Sequence, residues 1–212
     1  MAAGALPDLI AYAIRVSDYP HREADAFALL DTSALALYAP VVALVFATSS
    51  LGDPATDGTL VYIWLRPVAS WRVVLVALAA TLTVALPLTL VPVWLAVGLA
   101  GASLQQQWGL SAATALAVVA YAAVFTGFGL RARFALIIGL VYVVIWETGI
   151  ASLGKGPAAV SIRHYAESLA SHLSGQSVAN TADLWPSVII LVAVAAAGTA
   201  LTRVLLARQD VA

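Results

Sequence analysis

Cysteine is absent from this sequence of 212 residues, and charged side chains make up only 10% of it. The lack of cysteine excludes disulfide bonds and thiolate metal sites. Ten Lys and Arg residues against eleven Asp and Glu residues leave a formal charge of −1, so the chain has no basic surface for a nucleic acid. A soluble domain carries charge on about a quarter of its residues. The scarcity of charge therefore argues against a soluble domain.

Apolar residues, by contrast, make up 62% of the chain, and its mean hydropathy is +0.96. A helix crosses a hydrocarbon core about 30 Å thick with about 20 mostly apolar residues. Backbone groups in lipid must be paired within their own segment, which favours helices. The sequence therefore predicts an all-α polytopic membrane protein within residues 33–207. Charges and polar turns divide it into five transmembrane helices, at residues 33–51, 73–100, 109–130, 134–153 and 185–206.

Two details of these spans can be predicted. The second span contains Pro87 and Pro92, which predict a kink or a break in its second half. The last span contains small residues that are typical of a helix-packing face, namely Ala193, Ala197 and Gly198.

Arginines near the span ends predict the orientation, because basic residues accumulate on the cytoplasmic side. Alternating five spans places six of the ten basic residues on one side: Arg66, Arg72, Arg131, Arg133, Arg203 and Arg208. We therefore predict a cytoplasmic C-terminus and a cytoplasmic loop at residues 52–72. Residues 1–32 would form an extracytoplasmic N-terminal segment, and residues 154–184 an outer loop.

The loop at residues 52–72 has the features of a short helix. Asp53 is a good N-cap, and Pro54 suits the first helical position. A short apolar face follows at Leu60, Ile63, Trp64 and Pro67. The residues allow two interpretations, an interfacial amphipathic helix or a docking element for a cytoplasmic partner.

The outer loop and the span before it hold a second amphipathic segment and a lone acid. At residues 159–174, apolar side chains recur at steps of three and four, which predicts a helix at the outer interface. Glu147 is the acid inside a predicted span, where a carboxylate is costly and by default functional. Snorkelling to the outer end and a neutral, protonated acid are the alternatives for Glu147.

Enzyme and metal motifs are incomplete. Residues 149–156 approach a phosphate-binding P-loop, but Gly156 replaces the residue that would hold magnesium, and Pro157 blocks the helix start. His164 and His172 are eight residues apart, which does not favour a metal site. We predict no catalytic residue, no metal and no cofactor.

Residues 51–68 read Leu-Gly-Asp-Pro-Ala-Thr-Asp-Gly-Thr-Leu-Val-Tyr-Ile-Trp-Leu-Arg-Pro-Val, with Ser-Trp-Arg at 70–72. They resemble the signature loop of type 2 ABC-transporter permeases. In that family, an acidic residue, Gly-Thr-Leu, an Arg-Pro or Thr-Pro step and an arginine follow the second span and face the ATPase subunit. The resemblance implies a short cytoplasmic coupling helix in which these residues contact the ATPase: Asp53, Asp57, Gly58, Thr59, Leu60, Arg66 and Pro67.

A second similarity covers Tyr-Val-Val-Ile-Trp-Glu at 142–147 and Ser-Ile-Arg-His-Tyr at 161–165. These residues resemble the fifth span and the outer loop of actinobacterial members of the family. In the family, this outer region is partly re-entrant and caps the translocation path. The resemblance thus implies a role in the pathway or gate for Tyr142, Trp146 and Glu147.

Taken over about residues 31–208, the resemblance implies the permease subunit of an ABC exporter in the cell membrane. Its implied partners are a separate ABC ATPase subunit, a second permease copy or a paralogue, and membrane lipids. Family members have six spans, so the resemblance also implies that the first of them has no counterpart here. The alternatives are a non-transporting accessory or scaffolding membrane protein and a membrane-embedded enzyme using Glu147 and His164.

Overall fold

A computed structural model describes residues 33–59, 69–132, 134–147, 149–150, 155–175 and 182–208. These residues are helical and contain no strand. The helices are α1 (Ala34–Thr56), α2 (Ser70–Leu99), α3 (Leu104–Arg131), α4 (Ala135–Glu147), α5 (Lys155–Ala158), α6 (Ile162–Ser174) and α7 (Leu184–Ala207). Within α1 and α4, the segments Ala34–Tyr38 and Tyr142–Glu147 are wound as π-helix. The predicted N-terminal segment, residues 1–32, lies outside the described residues.

Four helices, α1, α2, α3 and α7, are each long and apolar enough to cross a membrane. They match four of the predicted spans to within a few residues and confirm an all-helical fold of the kind found in membrane proteins. The fourth predicted span, 134–153, is helical only over the 13 residues of α4 within the part that the structure describes. At about 1.5 Å a residue, such a helix covers about 20 Å.

The first span is longer than predicted. Asp53 does not begin a new helix, because α1 continues through Asp53 and Pro54 to Thr56. Proline fixes a φ angle that a helix accepts. The Asp57 N–H donates to the Asp53 carbonyl at 2.9 Å and closes the last turn.

At the centre of the bundle, α3 packs against α1, α2, α6 and α7. The outward faces of α2 and α7 are apolar, with Val76 and Ile189 exposed by 69% and 62%. Contiguous apolar surface of this kind is uncommon on soluble monomers. In a lipid environment, this apolar surface can stay exposed without a cost in free energy.

Two sets of contacts define the two ends of the bundle. At one end, α1, α2, α3 and α7 meet in a cluster of Leu51, Val74, Ala77, Leu130 and Leu206. The helix ends that meet in this cluster carry four arginines: Arg72, Arg131, Arg203 and Arg208. We therefore call this the arginine end. At the other end, which we call the outer-loop end, α6 packs so closely on α3 that a Cβ at Gly109 would lie 2.7 Å from the Ser174 nitrogen.

The expected break in α2 does not occur, since the helix runs through both prolines. Pro92 has no N–H, so the Leu88 carbonyl loses its helical partner. The hydroxyl of Tyr38, in the π segment of α1, donates to that carbonyl at 2.5 Å. A side chain from a neighbouring helix thus satisfies the acceptor that proline left open.

Small residues set the closest helix contacts. Where α1 crosses α3, a Cβ at Gly129 would lie 2.5 Å from the Thr48 carbonyl oxygen. In α7, Gly198 packs on the backbone of Ala123, as predicted. Ala193 and Ala197 do not pack on other helices of this chain, because they are exposed on the side of α7 that faces away from the bundle.

The Gly129 crossing can be tested by adding one methyl group. Gly129→Ala forces α1 and α3 apart, and we expect a loss of about 1–3 kcal/mol in the free energy of unfolding. Gly98→Ala is the matched control, because its Cβ would make an ordinary contact at 3.5 Å with Gln107. Reversible unfolding in mixed detergent micelles measures both. Equal stability of the two variants would contradict the close crossing.

Candidate functional site

The acidic turn at the arginine end holds four of the predicted coupling residues. Asp53, Asp57, Gly58 and Thr59 are exposed. Gly58 has a φ of +69°, in the left-handed region that favours glycine. The Thr59 hydroxyl donates to the Pro54 carbonyl at 3.3 Å and folds the turn back on α1. The other three, Leu60, Arg66 and Pro67, lie outside the described residues.

A groove of about 250 Å³ lies beside this turn, between α1 and the start of α4. Ser49, Asp53 and Thr56 form its α1 wall, and Phe134 and Ala135 lie opposite. The end of α1 therefore exposes acidic side chains next to a groove whose lining is partly polar.

Glu147 lies inside the bundle and is only 1% exposed. Its carboxylate accepts hydrogen bonds from the hydroxyls of Tyr142 and Ser161, at 3.0 and 2.5 Å. It also accepts from the backbone N–H groups of Ile162 and Arg163, both at 3.2 Å. Ser161 is the N-cap of α6, and Ile162 and Arg163 are its first two residues. Glu147 therefore caps the N-terminus of α6 from a different helix.

This position suits a negative charge. The first N–H groups of a helix lack helical partners, and the helix dipole favours an anion there. The carboxylate faces the interior and does not snorkel to the outer surface. Of the two other predicted pathway residues, Tyr142 contacts it directly, and Trp146 is half-buried beside it in the chain.

The π winding of α4 explains why Tyr142 reaches Glu147. In an α-helix, residues five apart point about 140° away from each other. A π-helix places residue i and residue i+5 over one another. The hydroxyl of Tyr142 can therefore donate to the carboxylate five residues later.

An aromatic group extends the site into α3. Tyr121 stacks on Phe125, with ring centroids 5.8 Å apart. Phe125 in turn meets Tyr142 edge-on at 6.3 Å. The Tyr121 hydroxyl is buried near Glu147 but makes no hydrogen bond among the described residues. This polar atom completes a site that α3, α4 and α6 build together.

Further contacts hold α6 in place. Arg163 pairs with Glu167 through Nε at 2.5 Å, and its Nη1 reaches the Glu147 carbonyl at 3.5 Å. Ser168 accepts from the Ala182 N–H at 3.0 Å, just before α7 begins. The amphipathic segment is helical over Ile162–Ser174, and this helix is tied to α4 at its start and to the chain entering α7 farther along.

The predicted residues form two separate groups, one in the acidic turn at the arginine end and one around Glu147 inside the bundle. Sequence reasoning missed Ser161 and Tyr121. Serine immediately before an amphipathic run is an N-cap pattern that could have identified Ser161. No local pattern marks Tyr121, because its neighbours in the site come from other helices. Within the described parts of the chain, no group of three His, Asp or Glu side chains could hold a metal ion.

The capping role of Glu147 can be tested by truncation. Glu147→Ala leaves the Ser161 hydroxyl and two backbone N–H groups without their acceptor, at a cost of about 3 kcal/mol. We expect amide hydrogen exchange over residues 162–174 to quicken about a hundredfold, the equivalent of that cost.

Glu167→Ala is the control for that measurement. It removes the Arg163 ion pair, which is partly exposed and worth about 0.5 kcal/mol. The exchange rate of α6 should therefore change little in this variant. Equal exchange in both variants would show that Glu147 does not hold α6.

No known protein family, curated protein or solved structure matches this chain.

Proposed function

We propose that this chain is the transmembrane permease subunit of an ABC exporter, which moves substrate across the cell membrane with energy from a separate ATPase subunit. The observation that carries the proposal is the exposed acidic turn at the end of α1. The segment that resembles the family's coupling loop begins there, and Asp53 and Asp57 are free to contact a partner.

The grouping of the arginines supports the proposed orientation. Arg72, Arg131, Arg203 and Arg208 belong to helix ends that meet at the arginine end. A cytoplasmic location of that end agrees with the bias of basic residues toward the cytoplasm. It places the acidic turn and the C-terminus on the side where ATP is available.

The course of α4 supports a fifth crossing. It begins shortly after α3 ends, at the arginine end, and it finishes inside the bundle at Glu147, against the start of α6. The end of α6 packs on Gly109 at the outer-loop end, so α4 and α6 together lead from one end of the bundle to the other. In this proposal, α6 is the outer helix that covers the pathway. Glu147 holds the start of α6 in place and thereby belongs to the gate.

A packed route connects the two sites in this proposal. The acidic turn continues α1, which contacts α4 where Leu44 packs on Gly139. From there, α4 leads to Glu147 and so to α6. Movement of the turn by an ATPase would shift α1 against α4 and alter the hold on the outer helix. Two such subunits, as a homodimer or with a paralogue, would enclose the pathway between them.

Charge reversal in the acidic turn tests this function. In Asp57→Lys, a repulsive charge replaces an exposed acid at the proposed contact, and such changes cost about 2–5 kcal/mol at interfaces. We expect at least a tenfold loss of the ATP-hydrolysing subunit that co-purifies from host membranes in mild detergent. Photolabelling with azido-ATP and MgATP hydrolysis measure that subunit. Arg66→Glu should have the same effect.

Asp183→Lys is the matched control, since Asp183 is exposed immediately before α7 at the outer-loop end. It should insert into membranes and retain the ATPase as the unchanged protein does. Equal recovery with Asp57→Lys would overturn the coupling assignment. A complete lack of ATP hydrolysis with the unchanged protein would favour the accessory or scaffolding role.

A membrane-embedded enzyme is less well supported. The Glu147 carboxylate is 1% exposed and already accepts from four donors. A general acid or base needs access to its substrate.

A further inference from the structure

A groove of about 440 Å³ runs along the outside of the bundle between α2 and α7. Its walls are almost wholly apolar. On the α7 side, the lining residues are small or short, which leaves the groove open along its length. They are Val192, Ala195, Ala196, Thr199 and Ala200, and the α2 side is formed by Trp71, Val74 and Leu75.

The α7 wall of the groove is about as long as one leaflet is thick. From Val192 to Arg203, α7 rises about 16 Å, at about 1.5 Å a residue. Half of a hydrocarbon core about 30 Å thick is about 15 Å. The groove also begins at the arginine end, where Trp71 lies at the depth that interfacial tryptophans occupy. It therefore has the reach of a single acyl chain.

The end of the groove at the membrane surface is cationic. Arg203 lines it, and the guanidinium of Arg72 lies 5.3 Å from the centroid of the Trp71 ring. Neither arginine forms an ion pair with any other described residue. Two arginines with no acidic partner among the described residues, at the mouth of an apolar groove, match a ligand with an anionic head and an apolar tail.

We propose that this groove binds one anionic phospholipid from the leaflet at the arginine end. One acyl chain lies between α2 and α7 along the small side chains of α7. The phosphate lies at Arg203 and Arg72, where basic side chains attract anionic lipids. Each arginine contributes about fivefold to the affinity, the equivalent of about 1 kcal/mol.

Native mass spectrometry of the full chain tests the site, with phosphatidylglycerol or phosphatidylcholine titrated into the detergent-purified protein. We expect the unchanged protein to prefer phosphatidylglycerol. Arg203→Gln and Arg72→Gln should each lower the affinity for phosphatidylglycerol about fivefold. Arg131→Gln is the matched control, because Arg131 carries the same charge at the same end but neither lines the groove nor, among the described residues, stacks on Trp71 as Arg72 does. The affinity of this variant for phosphatidylglycerol should equal that of the unchanged protein.

A second variant tests the apolar part. Ala196→Phe fills the groove from an exposed position and should abolish the high-affinity site while leaving the fold intact, as judged by circular dichroism. Brominated phosphatidylglycerol should quench the fluorescence of the unchanged protein, and the quenching should fall in Trp71→Phe.

Three results would overturn the proposal. One is an equal loss of affinity in Arg131→Gln, which would show attraction by net charge only. Another is unchanged lipid binding in Ala196→Phe. The third is a change from dimer to monomer in Ala196→Phe without a change in bound lipid, which would place a second copy of this chain in the groove. None of these results depends on an ATPase partner, so the permease function is tested separately.

Discussion

A buried carboxylate costs several kcal/mol unless hydrogen-bond donors surround it, and the junction of α4 and α6 in this protein is organised around that requirement at Glu147. Its four donors come from α4 and from the start of α6, so the acid can be paired only when both are in place. Ser161 caps α6, the π winding of α4 turns Tyr142 toward the acid, and α3 supplies the aromatic wall. Removing the acid would therefore disturb three helices and not one side chain.

The rest of the bundle follows from the chemistry of a lipid environment, where backbone groups need partners and apolar surface drives little association between helices. Close packing then holds the helices together, and glycine lies where two backbones meet, as at Gly129 and Gly198. The outward faces of α2 and α7 stay apolar for the same reason. Polar side chains are concentrated in the acidic turn and in the Glu147 site.

Composition and charge positions were enough to predict the four long helices, because length and hydropathy are local properties. The amphipathic helix α6 followed from its periodicity for the same reason. The packing face of α7 was predicted only in part, since Ala193, Ala197 and Gly198 look alike in sequence and only their rotation about the helix distinguishes them. The end of α1 and the partners of Glu147 were beyond local patterns. By its local pattern, Pro54 predicted the start of a new helix, whereas it lies inside α1. The hydrogen-bond partners of Glu147 depend on which helices become neighbours.

The hydrogen bond from Tyr38 to the Leu88 carbonyl links two positions that would otherwise vary independently. The Leu88 carbonyl needs the hydroxyl at position 38 only as long as position 92 is proline, because any other residue at 92 would return an N–H to the helix. Phenylalanine at 38 should therefore be acceptable to this fold mainly in sequences that have also lost Pro92. In a set of related sequences, the two positions would change together, which gives a test of shared architecture that does not depend on overall sequence identity.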